Sequence, residues 1–203
     1  MRTLSSLLVK NFQSNLNGHA LARKVNGVWD WSSRETLLNN VYYCREMLKQ
    51  ENIQQGDRVA YKGDNSVEWI SWNIACNSIG GVWVPMYANQ HIDYCNHVVN
   101  DCGASLCITD DAHLSFINTK TITNTIVENF GACEPIDFIE NDLATLIYTS
   151  GTTGSPKGVM LSNENIISNI NTIHARFHDM PASVSLNILP WAHIYSQTCE
   201  LYY

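Results

Sequence analysis

The chain has 203 residues, 45% of them hydrophobic, and a net charge of −7 from 12 basic and 19 acidic side chains. This apolar content is enough for a buried core and argues against a chain that is disordered throughout. The acidic balance argues against a general nucleic-acid-binding protein, which needs a basic surface. It does not exclude a nucleotide substrate, which needs only local positive charge.

Residues 1–32 are weakly patterned, and within them only 28–32 is predicted as a short strand, ending at a helix cap. A helix is predicted over 33–50, because apolar side chains recur at helical spacing. These side chains share one face of the helix: Leu37, Val41, Cys44 and Leu48.

A second helix is predicted from a cap at Asn65 or Ser66 through Ile79, with apolar residues on most faces. A strand over 82–84 follows, then a helix over 92–101 that ends at Gly103 and a strand over 106–108. Short strands without polar alternation, separated by helices, predict a parallel sheet covered on both faces. The uncharged run 70–91 is therefore interpreted as helix, turn and strand, and not as a membrane span.

The second half of the chain has one ambiguous region and several clear elements. Residues 119–125 are Thr-rich and fit either a strand or a loop. Strands are predicted over 143–148, 159–161 and 185–189, the last ending at Pro190. A helix capped by Ser162 or Asn163 is predicted between them, and its apolar stripe consists of Ile166, Ile170, Ile173 and Phe177.

Seven cysteines are present, an odd number, and none forms a Cys-x-x-Cys pair. The apolar run over residues 7–9 is too short for a secretory signal. We therefore expect reduced thiols and a cytoplasmic location, with a peripheral membrane contact left open. The spacing of Cys95, His97 and Cys102 fits no common zinc template, so core thiols are favoured and no metal ligand is predicted in this chain.

The most informative segment is a glycine- and hydroxyl-rich loop with one lysine, which directly follows the predicted strand 143–148. It reads Tyr148-Thr149-Ser150-Gly151-Thr152-Thr153-Gly154-Ser155-Pro156-Lys157-Gly158. Glycines let backbone N–H groups approach an anion, hydroxyls add short donors, and lysine adds a mobile charge. The composition is typical of a polyphosphate-binding loop.

The loop is not a Walker A motif. That motif needs Gly, four residues and then Gly-Lys-Ser/Thr, whereas counting from Gly151 the second glycine position is Pro156. Lys157 is followed by Gly158 and not by the hydroxyl that would hold Mg²⁺. A P-loop NTPase is therefore disfavoured.

The loop instead closely resembles the phosphate loop of the adenylate-forming superfamily, which includes acyl-CoA synthetases, luciferases and peptide synthetase adenylation domains. The resemblance extends over residues 26–203. Its further segments follow in the superfamily's order: 56–60, 65–70, 80–87, 142–148, 159–165 and 189–195. The segment 189–195, with Glu200 beyond it, resembles that of long-chain fatty acyl-CoA synthetases and favours a fatty acid substrate.

This resemblance implies an α/β fold, in which the chain is an incomplete part of the large N-terminal domain, with parallel-rich sheets flanked by helices. It also implies that a carboxylate attacks the α-phosphate of ATP, and that the thiol of CoA then displaces AMP. The implied phosphate ligands are Thr149, Ser150, Gly151, Thr152, Thr153, Gly154, Lys157 and Gly158. Lys157 would supply charge during catalysis, and His193 would orient and shield the acyl and adenylate groups.

The superfamily's later segments, including the carboxylate that holds Mg²⁺ and the small C-terminal domain, do not occur in this sequence. We therefore expect an N-terminal piece of a ligase that uses ATP, a fatty acid, CoA and Mg²⁺, inactive alone, with exposed strand edges. Two alternatives stay open. One is a non-catalytic nucleotide- or acyl-binding module, or a half-enzyme that needs a partner chain. The other is part of an enzyme that activates an amino acid or an aryl acid.

Overall fold

A computed structural model describes residues 3–126, 138–139, 141–149, 155–177 and 184–202. The helices in these ranges are α1 (Leu4–Gln13), α2 (Arg34–Gln50), α3 (Val67–Ser78), α4 (Ile92–Cys102), α5 (Asn163–Phe177) and α6 (Ile194–Ser196), which continues as a π-helical segment, Gln197–Leu201. The strands are β1 (His19–Val25), β2 (Val28–Ser33), β3 (Arg58–Gly63), β4 (Val82–Tyr87), β5 (Leu106–Thr109), β6 (Lys120–Thr123), β7 (Leu143–Thr149) and β8 (Lys157–Ser162).

The main sheet has six strands in the order β6-β5-β3-β4-β7-β8. Every neighbouring pair is parallel except β7 and β8, which are antiparallel. The mixed α/β fold with a mostly parallel sheet, predicted from the sequence, is therefore confirmed. Within the ambiguous Thr-rich stretch, the structure places the strand β6 against β5.

Helices cover both faces of this sheet. Val59 and Tyr61 of β3 face a core that contains Trp69 of α3 and the buried stripe of α2. Ala60 of β3 faces the opposite core, which contains Val98 of α4. This alternation explains why the central strands carry no polar face, because both faces of a parallel sheet are buried beneath crossover helices.

The helix boundaries follow the capping residues closely. The Ser33 hydroxyl accepts a hydrogen bond from the Thr36 N–H at the start of α2, and the Ser66 hydroxyl accepts one from Trp69 N–H at 3.0 Å at the start of α3. Gly103 ends α4 in the left-handed conformation, with φ of 60°. Of the two predicted caps of α3, Ser66 has this role, which leaves the Asn65 side chain for other contacts.

The weakly patterned N-terminus contains two elements that the sequence analysis missed, α1 and β1, whereas the predicted strand over 28–32 is confirmed as β2. The first N–H groups of α1 are bound by Thr3 and by the Asn163 side chain of α5. Strand β1 forms a hairpin with β2, which turns at Asn26 and Gly27 with φ of 49° and 84°. Positive φ at both residues defines the two-residue turn for which Asn-Gly is the strongest short-range sequence signal.

The predicted strand over 185–189 is wrong. Residues 184–190 form no strand in the structure. Asn187 and Leu189 are instead held by the side chain of Asn65, which bonds both of them. Since side-chain bonds to one residue replace a backbone ladder, the apolar alternation of this segment does not place it in a sheet.

The cysteines for which the structure gives a state are free thiols, as expected: Cys44, Cys76, Cys95, Cys102, Cys107 and Cys199. Cys133 lies outside the described residues. Burial raises the pKa of the Cys95 thiol to about 11 and that of Cys102 to about 11. These two thiols therefore stay protonated near neutral pH and act as small apolar side chains.

Replacing Trp69 by alanine tests whether α3 is the central support of the sheet. Trp69 is fully buried and contacts the rings of Tyr61, Trp83 and Trp191 at centroid distances of 5.3 to 6.2 Å. Trp69→Ala should lower the free energy of unfolding by about 3–5 kcal/mol. Trp29→Ala is the matched control, because Trp29 is 49% exposed and its loss should cost below about 1 kcal/mol. Urea unfolding that gives equal losses for both variants would contradict this packing.

Candidate active site

The glycine-rich loop connects two antiparallel strands, β7 and β8. Thr149 and Lys157 form the last cross-strand pair before the connection. Directly opposite residues share a face of the sheet, so both side chains stand together at the mouth of the loop, and both are exposed. The sequence analysis placed Lys157 within the loop, but the structure makes it the first residue of β8.

The middle of the loop is not described. The predicted phosphate ligands Ser150, Gly151, Thr152, Thr153 and Gly154 all lie outside the described residues. The two stems of the loop, which end at Thr149 and begin again at Ser155, are described.

Gly158 is a packing position opposite an aromatic ring. It pairs with Tyr148 across the hairpin, and a Cβ atom added to Gly158 would lie 3.0 Å from Cζ of the Tyr148 ring. Its φ is not positive, so the backbone conformation alone does not require glycine here. Close approach of the Tyr148 ring therefore explains the glycine, and a direct contact of Gly158 with phosphate stays a prediction.

Helix α4 holds both stems of the loop through hydrogen bonds from two of its side chains. The Tyr148 hydroxyl donates to the Asp101 carboxylate at 2.5 Å, and Nε2 of His97 donates to the carbonyl oxygen of Pro156 at 3.1 Å. Burial raises the pKa of Tyr148, and the bond to Asp101 raises it further, so the phenol keeps its proton. Two side chains of one helix thus fix the separation of the two stems.

A cavity of about 340 Å³ lies at the carboxyl ends of β3 and β4. It is lined by residues 63–65, residues 87–89 and the side chains Ile188, Pro190 and Ala192. The helix that follows β3 packs on one face of the sheet, and the helix that follows β4 packs on the other. Adjacent strands with this arrangement open a crevice at their carboxyl ends, which is the usual ligand position in open α/β sheets.

The cavity and the loop share one edge of the sheet. Strand β7 runs parallel to β4 and pairs with it through Trp83 and Thr145. The Thr145 hydroxyl adds a bond of 2.7 Å to the carbonyl oxygen of Trp83. Because parallel strands end at the same edge, Thr149 and the loop stem lie on the carboxyl side of the sheet, as the cavity does.

Asn65 fixes the wall of this cavity. Its Nδ2 donates to Oδ1 of Asn187 at 2.6 Å and to the carbonyl oxygen of Leu189 at 2.7 Å. Its Oδ1 accepts from the N–H of Trp191 at 2.7 Å. One side chain at the N-terminus of α3 therefore positions the segment that carries Ile188, Pro190 and Ala192, a role that no local sequence signal indicates.

His193 follows that segment and caps α6. Its Nδ1 accepts a hydrogen bond from the N–H of Tyr195 at 3.1 Å, so the neutral ring carries its proton on Nε2. The side chain is exposed, and the residue directly follows Ala192 of the cavity wall in the sequence. Glu200, also singled out from the sequence, accepts a hydrogen bond from Nδ2 of Asn187 at 2.6 Å and so supports the same segment.

The structure therefore brings together some of the predicted site residues and not others. Thr149 and Lys157 are neighbours, and Gly158 is next to them in β8. His193 lies with the cavity wall, and no described contact joins it to Lys157.

A second cavity, of about 420 Å³, lies beside a polar network at the ends of β5 and β6. Asp110 accepts hydrogen bonds from the Tyr61 hydroxyl at 2.9 Å, from Nδ2 of Asn124 at 2.9 Å and from the N–H of Asp64 at 3.0 Å. Burial raises the pKa of Tyr61, and the Asp110 charge raises it further. Structural donors occupy three of the roughly four acceptor positions of this carboxylate, which makes the cavity a poor candidate for chemistry.

The described ranges contain no group of three or more His, Cys, Asp or Glu side chains placed to hold a metal ion. Cys95 is buried in the core, and His97 contacts Pro156, as described above. None of the described helices combines the length and the apolarity needed to cross a membrane.

Comparison with known proteins identifies the family to which this chain belongs. The model of the family "AMP-binding enzyme" matches residues 12–203, so the chain belongs to that family. Fatty acid AMP ligase from Legionella pneumophila has the same fold, with a TM-score of 0.82 at 23% identity over 98% of this chain and 37% of that one.

Two curated relatives show which members the sequence is similar to. Peroxisomal long chain acyl-CoA synthetase 7 from Arabidopsis thaliana is 30% identical over 73% of this chain and 26% of that protein. Feruloyl-CoA synthase from an Amycolatopsis species is 31% identical over 60% of this chain and 26% of that protein. The matched part of the chain thus spans about a quarter of the length of each of these two relatives.

Replacing Asn65 by alanine tests the cavity wall. Asn65→Ala removes three hydrogen bonds to the segment around Pro190 and should cost about 1–3 kcal/mol of unfolding free energy. Asn89→Ala is the matched control, since Asn89 lines the same cavity and none of the hydrogen bonds described above involves it. The wall assignment would be wrong if chemical denaturation gave the two variants the same stability.

Replacing Gly158 by alanine tests the packing between the two loop stems. The added methyl group must displace the Tyr148 ring, which Asp101 holds, and overpacking of this kind costs about 1–3 kcal/mol. Val159→Ala is the control in the same strand, because Val159 is exposed. A thermal unfolding midpoint that falls no further for Gly158→Ala than for Val159→Ala would show that the ring moves without cost.

Proposed function

We propose that the protein carrying this sequence activates a long-chain fatty acid with ATP and then transfers the acyl group to CoA. In the first step a carboxylate oxygen of the fatty acid attacks the α-phosphorus, an acyl–adenylate bond forms, and pyrophosphate leaves. In the second step the thiol sulfur of CoA attacks the acyl carbon, AMP leaves, and the thiol proton passes to solvent. This chain would supply the phosphate-loop part of that enzyme.

One observation carries the proposal: the Thr149–Lys157 pair stands at the mouth of a glycine-rich loop, on the edge of the sheet that also holds the crevice. Membership of the AMP-binding family and similarity to a long chain acyl-CoA synthetase support it. Lys157 is exposed at the mouth of the loop, where its ammonium group can meet an anion.

Charge and position are what the described residues would contribute to the reaction. Both substrates are anions, so the barrier falls when they are held together and when charge on the leaving pyrophosphate is neutralised. Thr149 would donate its hydroxyl to a phosphate oxygen, and Lys157 would pair with the pyrophosphate. We propose the same role for Ser150, Gly151, Thr152, Thr153 and Gly154 of the loop.

His193 is suited to orientation and not to proton abstraction. A carboxylate nucleophile is already ionised at neutral pH and needs no general base. With Nδ1 bound by the Tyr195 N–H, the ring presents only the Nε2–H as a donor beside the cavity. We propose that this N–H helps to position the acyl or adenylate group.

Mg²⁺ and CoA belong to the proposal for the longer enzyme. The described residues contain no cluster of metal ligands, so we derive no step through Mg²⁺. Likewise, we propose a cytoplasmic location, with which the free thiols agree.

An aryl acid is the second candidate for the substrate, because the relative named feruloyl-CoA synthase is as similar in sequence as the long-chain enzyme. Substrate-dependent exchange of labelled pyrophosphate into ATP, measured on the native gene product, separates the candidates. Exchange driven by a long-chain fatty acid supports the proposal. Exchange driven only by an aryl acid or an amino acid replaces it, and ATP binding without any exchange favours a binding module.

Replacing Lys157 by alanine tests the charge assigned to the loop stem. Lys157→Ala should lower the exchange rate about a hundredfold or more, because a charge on the leaving group is left unpaired. The thermal midpoint should stay nearly constant, since the side chain is exposed. Lys49→Ala, in the exposed last turn of α2, is the matched control and should leave exchange unchanged. An unchanged exchange rate in Lys157→Ala would remove this residue from the mechanism.

A further inference from the structure

The β1–β2 hairpin has one face that packs on the protein and one that does not. Leu21 packs against the main core, so the face that holds Leu21 and its partner Ser32 is turned towards α2. Side chains alternate between faces along a strand. The residues that alternate with the Leu21 face along each strand form the opposite face. We call it the Trp face, and it contains His19, Lys24, Trp29 and Trp31.

The Trp face is apolar, aromatic and exposed. Trp29 and Trp31 are 49% and 43% exposed, which is unusual for two tryptophans on neighbouring positions of one face. The His19 ring contacts Trp31 with centroids 4.7 Å apart, and Nζ of Lys24 lies 6.0 Å from the centroid of the Trp29 ring. Each indole thus has one neighbouring side chain within the hairpin.

The tip of the hairpin is apolar on its other face as well. Val25 and Val28 pair across the Asn26-Gly27 turn on the face that holds Leu21, but this far from the body of the protein Val28 is 70% exposed. Arg23 lies next to Lys24 at this end, and its partner is Asp30, in an ion pair that is itself exposed. An apolar tip bordered by lysine and arginine therefore projects from the body of the protein.

Charge is also distributed unevenly along the sequence. Residues 1–50 contain seven Lys or Arg and three Asp or Glu, whereas residues 51–203 contain five and sixteen. The part of the chain that carries the hairpin is positive, although the whole chain is negative. On the hairpin itself, Arg23 and Lys24 outnumber Asp30, so its local charge is positive and suits an anionic surface.

We propose that the Trp face and the hairpin tip dock on the surface of a lipid bilayer that contains anionic head groups. Indole rings are favoured at the boundary between head groups and acyl chains, where one edge is apolar and the other is hydrated. Lys24 can bury its aliphatic stem and keep its ammonium group among the phosphates. Lysine is depleted in protein–protein interfaces, so the position of Lys24 beside Trp29 on this face favours a bilayer over a protein partner. The inference does not depend on the proposed function.

Flotation of the native gene product with vesicles tests the docking. Vesicles of phosphatidylcholine with phosphatidylserine should bind the protein, vesicles of phosphatidylcholine alone should bind it more weakly, and added salt should weaken the binding. The double variant Val28→Ser/Trp29→Ser should lower the partition coefficient about tenfold or more, because it removes most of the apolar area at the tip. Ile117→Ser is the matched control, since Ile117 is 61% exposed elsewhere on the protein.

The variants change only exposed side chains, so their thermal midpoints should match that of the parent. Lys24→Glu gives a second, independent reading, because it should reduce binding to phosphatidylserine vesicles while leaving the apolar area in place. Absence of flotation, or equal flotation of the double variant and the parent, would overturn the proposal. Light scattering without lipid gives the mass of the particle in solution. If a hairpin variant has a lower mass than the parent there, the Trp face would be a contact with a second copy of the chain.

Discussion

Burial on both faces of the central sheet is the constraint on which the rest of this structure depends. Strands β3 and β4 are adjacent and parallel, so each must be followed by a helix that crosses back over the sheet. Helix α3 takes one face and α4 takes the other. That division covers the apolar strands and, as a geometric consequence, leaves a crevice at the strand ends. The cavity beside Asn65 and the position of the loop both follow from this arrangement and from the placement of β7 next to β4.

The elements that the sequence predicts well are those whose signal is local and repeated. The stripe from Leu37 to Leu48 and the caps at Ser33 and Ser66 lie within one or two turns of the helices that they define. Of the β1–β2 hairpin, β2 was predicted and β1 was not, because both strands are largely exposed and carry little hydrophobic periodicity. The Asn26-Gly27 turn between them is the local signal that indicates the missing strand. The 185–189 strand failed for the opposite reason: its apolar alternation is real, but no neighbouring strand in the described part of the chain pairs with it.

The candidate site likewise combines residues with a local sequence signal and residues without one. A contiguous motif located Thr149, Lys157 and Gly158, since eleven residues in one stretch are specific without any tertiary information. The residues that hold those groups in place were not predictable. Asn65 reaches across 126 residues to Trp191, and His97 reaches across 59 residues to Pro156. Contacts between residues so far apart in the chain leave no periodicity in the sequence. An asparagine just before a helix is interpreted as an N-cap, and its role in holding a distant segment is not evident.

The attachment of both loop stems to α4 has a consequence for how the geometry of the glycine-rich loop can vary among related sequences. His97 and Asp101 are one helical turn apart and act as two anchor points on the same rigid body. A small rotation or shift of α4, caused by altered packing at Val98 beneath it, would change the spacing between the strands that enter and leave the loop. Selection could therefore adjust the spacing of the loop stems by changing the apolar residues beneath a helix, while every residue of the glycine-rich loop stayed the same.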